Sequence, residues 1–140
     1  MGDASSRPVL LVDNNATDVE LTKLAFAKNA IPNDIIVADD GAEAVDLLLP
    51  PDGREPLRPS IVLMDISMPR MSGLEALGVL RAHPSTKTLP VIMLSSSSED
   101  RHLFDSSHLA ANGYVQKPMD FDQFLVVAHQ LGIDWLGLHR

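Results

Sequence analysis

The 140-residue chain predicts an α/β fold, a parallel five-stranded sheet doubly wound by helices on both faces. Three observations lead there. Five short apolar runs lack period-two alternation, as expected of strands covered on both sides. Amphipathic segments separate them, so strand and helix alternate through the chain. Four of the five runs end in polar residues, and right-handed crossovers place all strand ends along one edge of such a sheet.

The first run, Val9–Val12, leads into Asp13, Asn14 and Asn15. A helix is expected over Asp18–Asn29, with Asp18 as N-cap and Val19, Leu21, Leu24, Ala25 and Lys28 near helical spacing. Asp34–Ala38 reads as the second strand and Ala42–Leu49 as the second helix. "PPDGREPLRPS" (Pro50–Ser60) is the one long loop, and its Pro and Gly content makes it a surface excursion, not a domain boundary. The third strand, Ile61–Met64, meets Asp65 in "IVLMDISMPRMSG", where Met68 and Met71 flank Pro69 and are expected to pack the loop. Leu74–Ala82 is the third helix. Val91–Leu94 runs into Ser95 and Ser96, followed by a helix over Glu99–Ala111. Tyr114–Gln116 leads to Lys117 and Pro118. The last helix runs from Phe121 to about Leu131, with Asp120 as cap and Phe121, Phe124, Leu125, Ala128 and Leu131 as its apolar stripe.

One domain over residues 7–132 fits the length and the 45% hydrophobic content, with residues 1–6 disordered and 133–140 a tail. The absence of cysteine excludes a disulfide framework, thiolate metal sites and cysteine nucleophiles. A net charge of −8 argues against nucleic-acid binding by the domain. No apolar run is long enough to span a membrane, and "MGDASSRP" lacks the apolar core of a secretory signal and fits a myristoylation site poorly. A cytoplasmic protein is expected. The serines Ser95–Ser98 lack the frame of a hydrolase nucleophile, and the five histidines show no i, i+4 pair. A flavin site is disfavoured because "DNNATD" carries acid where a phosphate needs donors.

What the edge collects is Asp13, Asn14, Asp65, Ser95, Ser96 and Lys117. Any one of them is a common turn residue. Together they can make and hold an acyl phosphate. A carboxylate can attack phosphorus. Carboxylates with amide or carbonyl oxygens form a hard site that Mg2+ accepts while it keeps several waters. An ammonium and a hydroxyl can take the remaining phosphoryl oxygens.

The joint order "LLVDNN … LMDISMPRMSG … VIMLSSSS … YVQKP" resembles the receiver domains of two-component response regulators, from about Arg7 to Leu131. It is similar in particular to small stand-alone receivers associated with phytochrome kinases, which share the long loop before the third strand, "KPMDFDQFL", and a Trp near the end, here Trp135. The resemblance implies a CheY-like, flavodoxin-like (βα)5 fold with strand order 2-1-3-4-5. It also implies that Asp65 is the phosphoacceptor, and that Asp13, Asn14, Asp65 and the backbone carbonyl of Ser67 hold Mg2+. Ser95, with Ser96 beside it, takes the Ser/Thr switch position and Lys117 that of the phosphate-binding lysine. Pro118 follows in a cis bond. Tyr114 matches the aromatic switch, or is an ordinary strand aromatic. The implied partner is a sensor histidine kinase, here of the bacteriophytochrome type. The domain is then a phosphoacceptor and not a turnover enzyme. No effector domain is expected to follow the last helix, so output is expected through a downstream protein target, or the domain serves as an intermediate or sink in a relay.

Asn14 departs from the family, which usually has an acid there. Its amide oxygen can still coordinate, but the lost charge is expected to weaken Mg2+ by about one or two decades. Two other readings stay open: a charge-poor site that favours an active-like state without phosphate, and a phosphorylation-independent interaction module. The segment "DQFLVVAHQLGIDWLGLHR" holds more apolar surface than one helix face can bury, with Val126, Val127, Ile133, Trp135, Leu136 and Leu138 as the surplus. A homodimer through Phe124, Val127, Trp135 and Leu136 is one expectation, and a tail folded back on its own domain is the other.

Overall fold

Ten elements alternate along the chain: β1 (Val9–Val12), α1 (Ala16–Lys28), β2 (Ile35–Ala38), α2 (Gly41–Leu48), β3 (Ile61–Asp65), α3 (Gly73–Ala82), β4 (Val91–Ser95), α4 (Ser98–Ser107), β5 (Gly113–Gln116) and α5 (Phe121–Gln130). This computed structural model describes residues 7–130 except 30, 32, 69, 96, 110 and 118–120, and without the side chains of 121 and 127–130. The expectations of an Asp120 cap, a cis bond at Pro118, disorder over 1–6 and a tail over 133–140 fall outside the described residues. Among those described, no helix is long and apolar enough to cross a membrane.

All strand pairs are parallel, in the order β2-β1-β3-β4-β5. This is a flavodoxin-like architecture, with the strand order that the resemblance implied. The missing period-two alternation has a direct cause, since both faces of the sheet are dry. Val9, Leu11, Ile61, Leu63, Ile92, Leu94 and Val115 pack on one face under Val19, Phe26 and Phe124 of α1 and α5. Leu10, Val12, Val62, Met64, Val91 and Met93 pack on the other under Ala44, Leu48, Ala76, Leu77 and Leu80 of α2 and α3. Each fully buried Val, Leu, Ile or Met contributes roughly 1.5–3 kcal/mol. These strands are therefore expensive to move.

Two helices differ from expectation. Asn15, not Asp18, caps α1: its side chain accepts the Asp18 N–H at 3.0 Å while its own backbone is still extended. Asp18 is thus the third residue of the first turn. The buried face of α1 is Val19, Thr22 and Phe26, whereas Leu21 and Leu24 are 48% and 55% exposed. Thr22 tolerates burial because its hydroxyl donates to the Asp18 carbonyl at 2.9 Å. α4 stops at Ser107, short of the expected Ala111, because His108 turns left-handed at φ 58° and closes the helix. The long loop is a partial excursion: Leu57 folds back on the core, and the Ser60 N–H bonds the Pro8 carbonyl at 2.8 Å.

Candidate functional site

Register brings the strand ends level. Val12 stands opposite Met64, Asp65 opposite Leu94, and Ser95 opposite Gln116. Asp13, Asp65, Ser95 and Lys117 therefore leave four strands at nearly one height. Backbone bonds extend past the strands to hold them there: Asp13 N–H to the Ala38 carbonyl at 3.0 Å, Ile66 to Leu94 at 3.0 Å, and Lys117 to Ser95 at 2.7 Å. Gly73 keeps the turn after Asp65 tight. A Cβ on it would lie 2.1 Å from the Asp65 carbonyl oxygen, so only glycine lets α3 start against the end of β3. Arg70, left-handed at φ 64°, reaches across to the α2 cap, its Nε 2.6 Å from Asp40 Oδ2, and latches the same loop.

The side chains converge on one ammonium. Lys117 Nζ lies 3.2 Å from Asp65 Oδ2, 3.0 Å from Asp13 Oδ2 and 2.6 Å from Asp18 Oδ2. Its three N–H donors thus meet three carboxylates. Asp18 is a member that the motifs did not single out. With Asn15 recognised as the cap, the first-turn position of Asp18 would have pointed its side chain back toward the strand ends.

Lys117 and Asp65 shift in the same direction for opposing reasons. Burial pulls the ammonium down, but hydrogen bonds to Asp18 and Asp13 and the charge of Asp65 outweigh it, so Lys117 is raised and stays protonated. Burial pushes the Asp65 carboxyl up; the charge and hydrogen bond of Lys117 pull it back in part, Asp13 adds repulsion, and the Ser67 N–H opposes. Lys117 divides its charge among three acids, and Asp65 receives only a share of it.

That leaves an under-neutralised, oxygen-lined edge. Among the described residues no group of three or more His, Cys, Asp or Glu side chains stands in a metal-binding arrangement. A cation here would rest on the two buried carboxylates of Asp13 and Asp65, the exposed Asn14 amide, the Ser67 carbonyl and water. This donor set suits Mg2+, which manages with one or two carboxylates.

Other expected site residues stand apart from the carboxylates. The buried Ser95 hydroxyl donates to the Ser97 carbonyl at 2.9 Å and accepts its N–H at 3.2 Å, so it serves its own loop. The Ser67 hydroxyl donates to Asp100 at 2.7 Å and ties the loop after β3 to α4. Tyr114 stacks on Phe104 at 5.9 Å with the Arg101 guanidinium 4.2 Å over its ring, at the α4–β5 contact. Phe124 corrects the dimer expectation: it is fully buried, 5.4 Å from Phe26, because α5 turns it into the core on the face of the sheet that α1 also covers. Ser96, Pro118, the Val127 side chain, Trp135 and Leu136 lie outside the described residues.

Comparison with known proteins agrees with this fold. The chain is 27% identical over 139 residues to the response regulator Rcp1 of Synechocystis, covering 97% of this chain and 95% of Rcp1. The bacteriophytochrome response regulator AtBRR superposes with a TM-score of 0.80 at 37% identity, covering 92% of this chain and 94% of that one. Phosphorylated cyanobacterial RcpA superposes at 0.71 with 29% identity, covering 93% and 94%. The Mn2+-bound form of Rcp1 superposes at 0.71 with 26% identity, covering 88% and 90%. Residues 9–129 match the response regulator receiver domain, and the chain belongs to that family of two-component signalling proteins.

Proposed function

We propose that this receiver takes a phosphoryl group on Asp65 from the phosphohistidine of a sensor histidine kinase. The observation that carries the reading is the Lys117 ammonium bridging Asp65 and Asp13 at 3.2 and 3.0 Å across separate strand ends. An Asp65 oxygen forms the new bond to phosphorus, the P–N bond to the donor imidazole breaks, and the imidazole departs with a proton from solvent. Lys117 redirects one N–H to a phosphoryl oxygen. Asp13, Asp65, Asn14 and the Ser67 carbonyl would hold Mg2+, which supplies charge neutralisation to the transferring group. The Ser95 hydroxyl, once released from Ser97, would take a third oxygen, and Tyr114 sits where α4 would register that change. The domain is consumed as it reacts, so it is a switch and not a turnover enzyme.

Phosphorylated RcpA and Mn2+-bound Rcp1 support the anion and the cation by likeness. AtBRR supports a bacteriophytochrome as the kinase. A cytoplasmic location fits such a partner. Val126, 58% exposed on α5, supports a homodimer through that helix and the tail. The exposed Asn14 amide and the engaged Ser95 hydroxyl favour a second reading, an interaction module that works without phosphate.

Incubation with a small phosphodonor and Mg2+, followed by intact mass, separates them. The expected result is one added phosphoryl group, absent in Asp65→Asn. No mass change in the wild type would contradict the phosphoacceptor reading.

A further inference from the structure

Asp18 makes the shortest contact in the site, 2.6 Å from Lys117 Nζ, though the motifs pass it by. Its side chain keeps 25% exposure while those of Asp13 and Asp65 keep 1% and 8%. Its pose is set by the helix: its N–H donates to Asn15 at 3.0 Å, and its carbonyl accepts from Thr22 at 2.9 Å.

We propose that Asp18 is a positioning residue for Lys117 that keeps Asp13 and Asp65 available to a divalent cation. The inference rests on the cation site proposed above. By drawing the ammonium toward α1, Asp18 takes up charge that would otherwise fall wholly on the two carboxylates the cation needs. It also returns to the site the third negative charge that Asn14 does not carry. Without it, the lysine turns all three donors on Asp13 and Asp65, competes directly with the cation, and stays as an unshared positive charge a few Å away. Both effects have one sign, and weaker cation binding follows.

NMR titration of the full chain with Mg2+ tests this in wild type, Asp18→Asn and Asp18→Glu, with the Lys117 Nζ resonance followed in each. Asp18→Asn is expected to raise the Mg2+ Kd on the order of tenfold and to move the Nζ resonance. Asp18→Glu should recover most of both. A residue that merely supported α1 would lower the melting temperature and leave the Kd where it was. An unchanged Kd in Asp18→Asn therefore overturns the inference, whatever happens to stability. Phosphoryl uptake measured on the same samples keeps the two proposals apart. Uptake with an unmoved Kd sinks only the role of Asp18; the expected Kd change without uptake sinks only the phosphoacceptor reading. A wild type that binds no Mg2+ overturns both.

Discussion

At the carboxyl edge, Asp13, Asp65 and Lys117 hang from strands whose apolar side chains are almost wholly withdrawn from water, and backbone ladders continue past the strand ends. At α4, ten residues carry one buried side chain, Asp100. That helix is held by the Ser67–Asp100 bond at 2.7 Å, the Phe104–Tyr114 stack at 5.9 Å and Arg101 over Tyr114 at 4.2 Å. Each such contact is worth about 1 kcal/mol. The core under the strands is worth many times that. Groups that do chemistry are therefore placed where displacement is costly, and the helix that can report on them where it is cheap. Ser95 joins the two, since it ends β4 and bonds the residue that caps α4.

The strongest blow to the rigid side is Gly73→Ala. Its Cβ would meet the Asp65 carbonyl oxygen at 2.1 Å, and urea unfolding should show a loss of about 2–3 kcal/mol. A cost under about 1 kcal/mol would mean that the edge yields as easily as α4 does.

Asn14→Asp comes next. Restoring an acid beside Asp13 should tighten Mg2+ by about ten- to a hundredfold, or roughly 1.4–2.8 kcal/mol, read by the same titration used for Asp18. No gain would show that Asn14 lies outside the cation's reach.

Asp65→Asn should stabilise the fold at neutral pH by about 1 kcal/mol. Burial raises the Asp65 carboxyl, so the folded chain binds that proton more tightly than the unfolded chain does. Ionised Asp65 therefore opposes folding above its folded pKa, and the penalty fades as pH falls through it. Unfolding at neutral and acid pH should show the advantage of the variant shrinking with acid; an advantage that grows would reverse the assignment. Arg101→Ala is the smallest. It removes the cation over Tyr114 for about 0.5–1 kcal/mol and should leave Mg2+ affinity unchanged.

The parallel sheet and the convergence of Asp13, Asp65 and Lys117 were legible in the residues, because apolar runs ending in polar residues report the strands and their edge together; the strand order came only with the family resemblance. The faces of α1 were not. Reading Asp18 as the cap came with a stripe that rightly held Val19 but also held Leu21 and Leu24, whereas Thr22 and Phe26 join Val19 on the buried face. That same error hid Asp18 as a partner of Lys117. The end of α4 carries no glycine to mark it, since His108 takes the left-handed turn itself. The apolar stripe of α5 was visible, but only packing shows that Phe124 spends its apolar surface within the domain. Arg70 on Asp40 joins residues thirty positions apart, and no local pattern announces it.

Reductive trapping of the phosphorylated protein, followed by peptide mapping, addresses the central claim most directly. An acyl phosphate on a carboxylate is reduced to the alcohol, which leaves homoserine where the aspartate stood. The expected result is homoserine at position 65, dependent on Mg2+ and lost in Lys117→Ala. A mark at Asp13, Asp18 or elsewhere, or none under conditions that phosphorylate other receivers, would contradict the account.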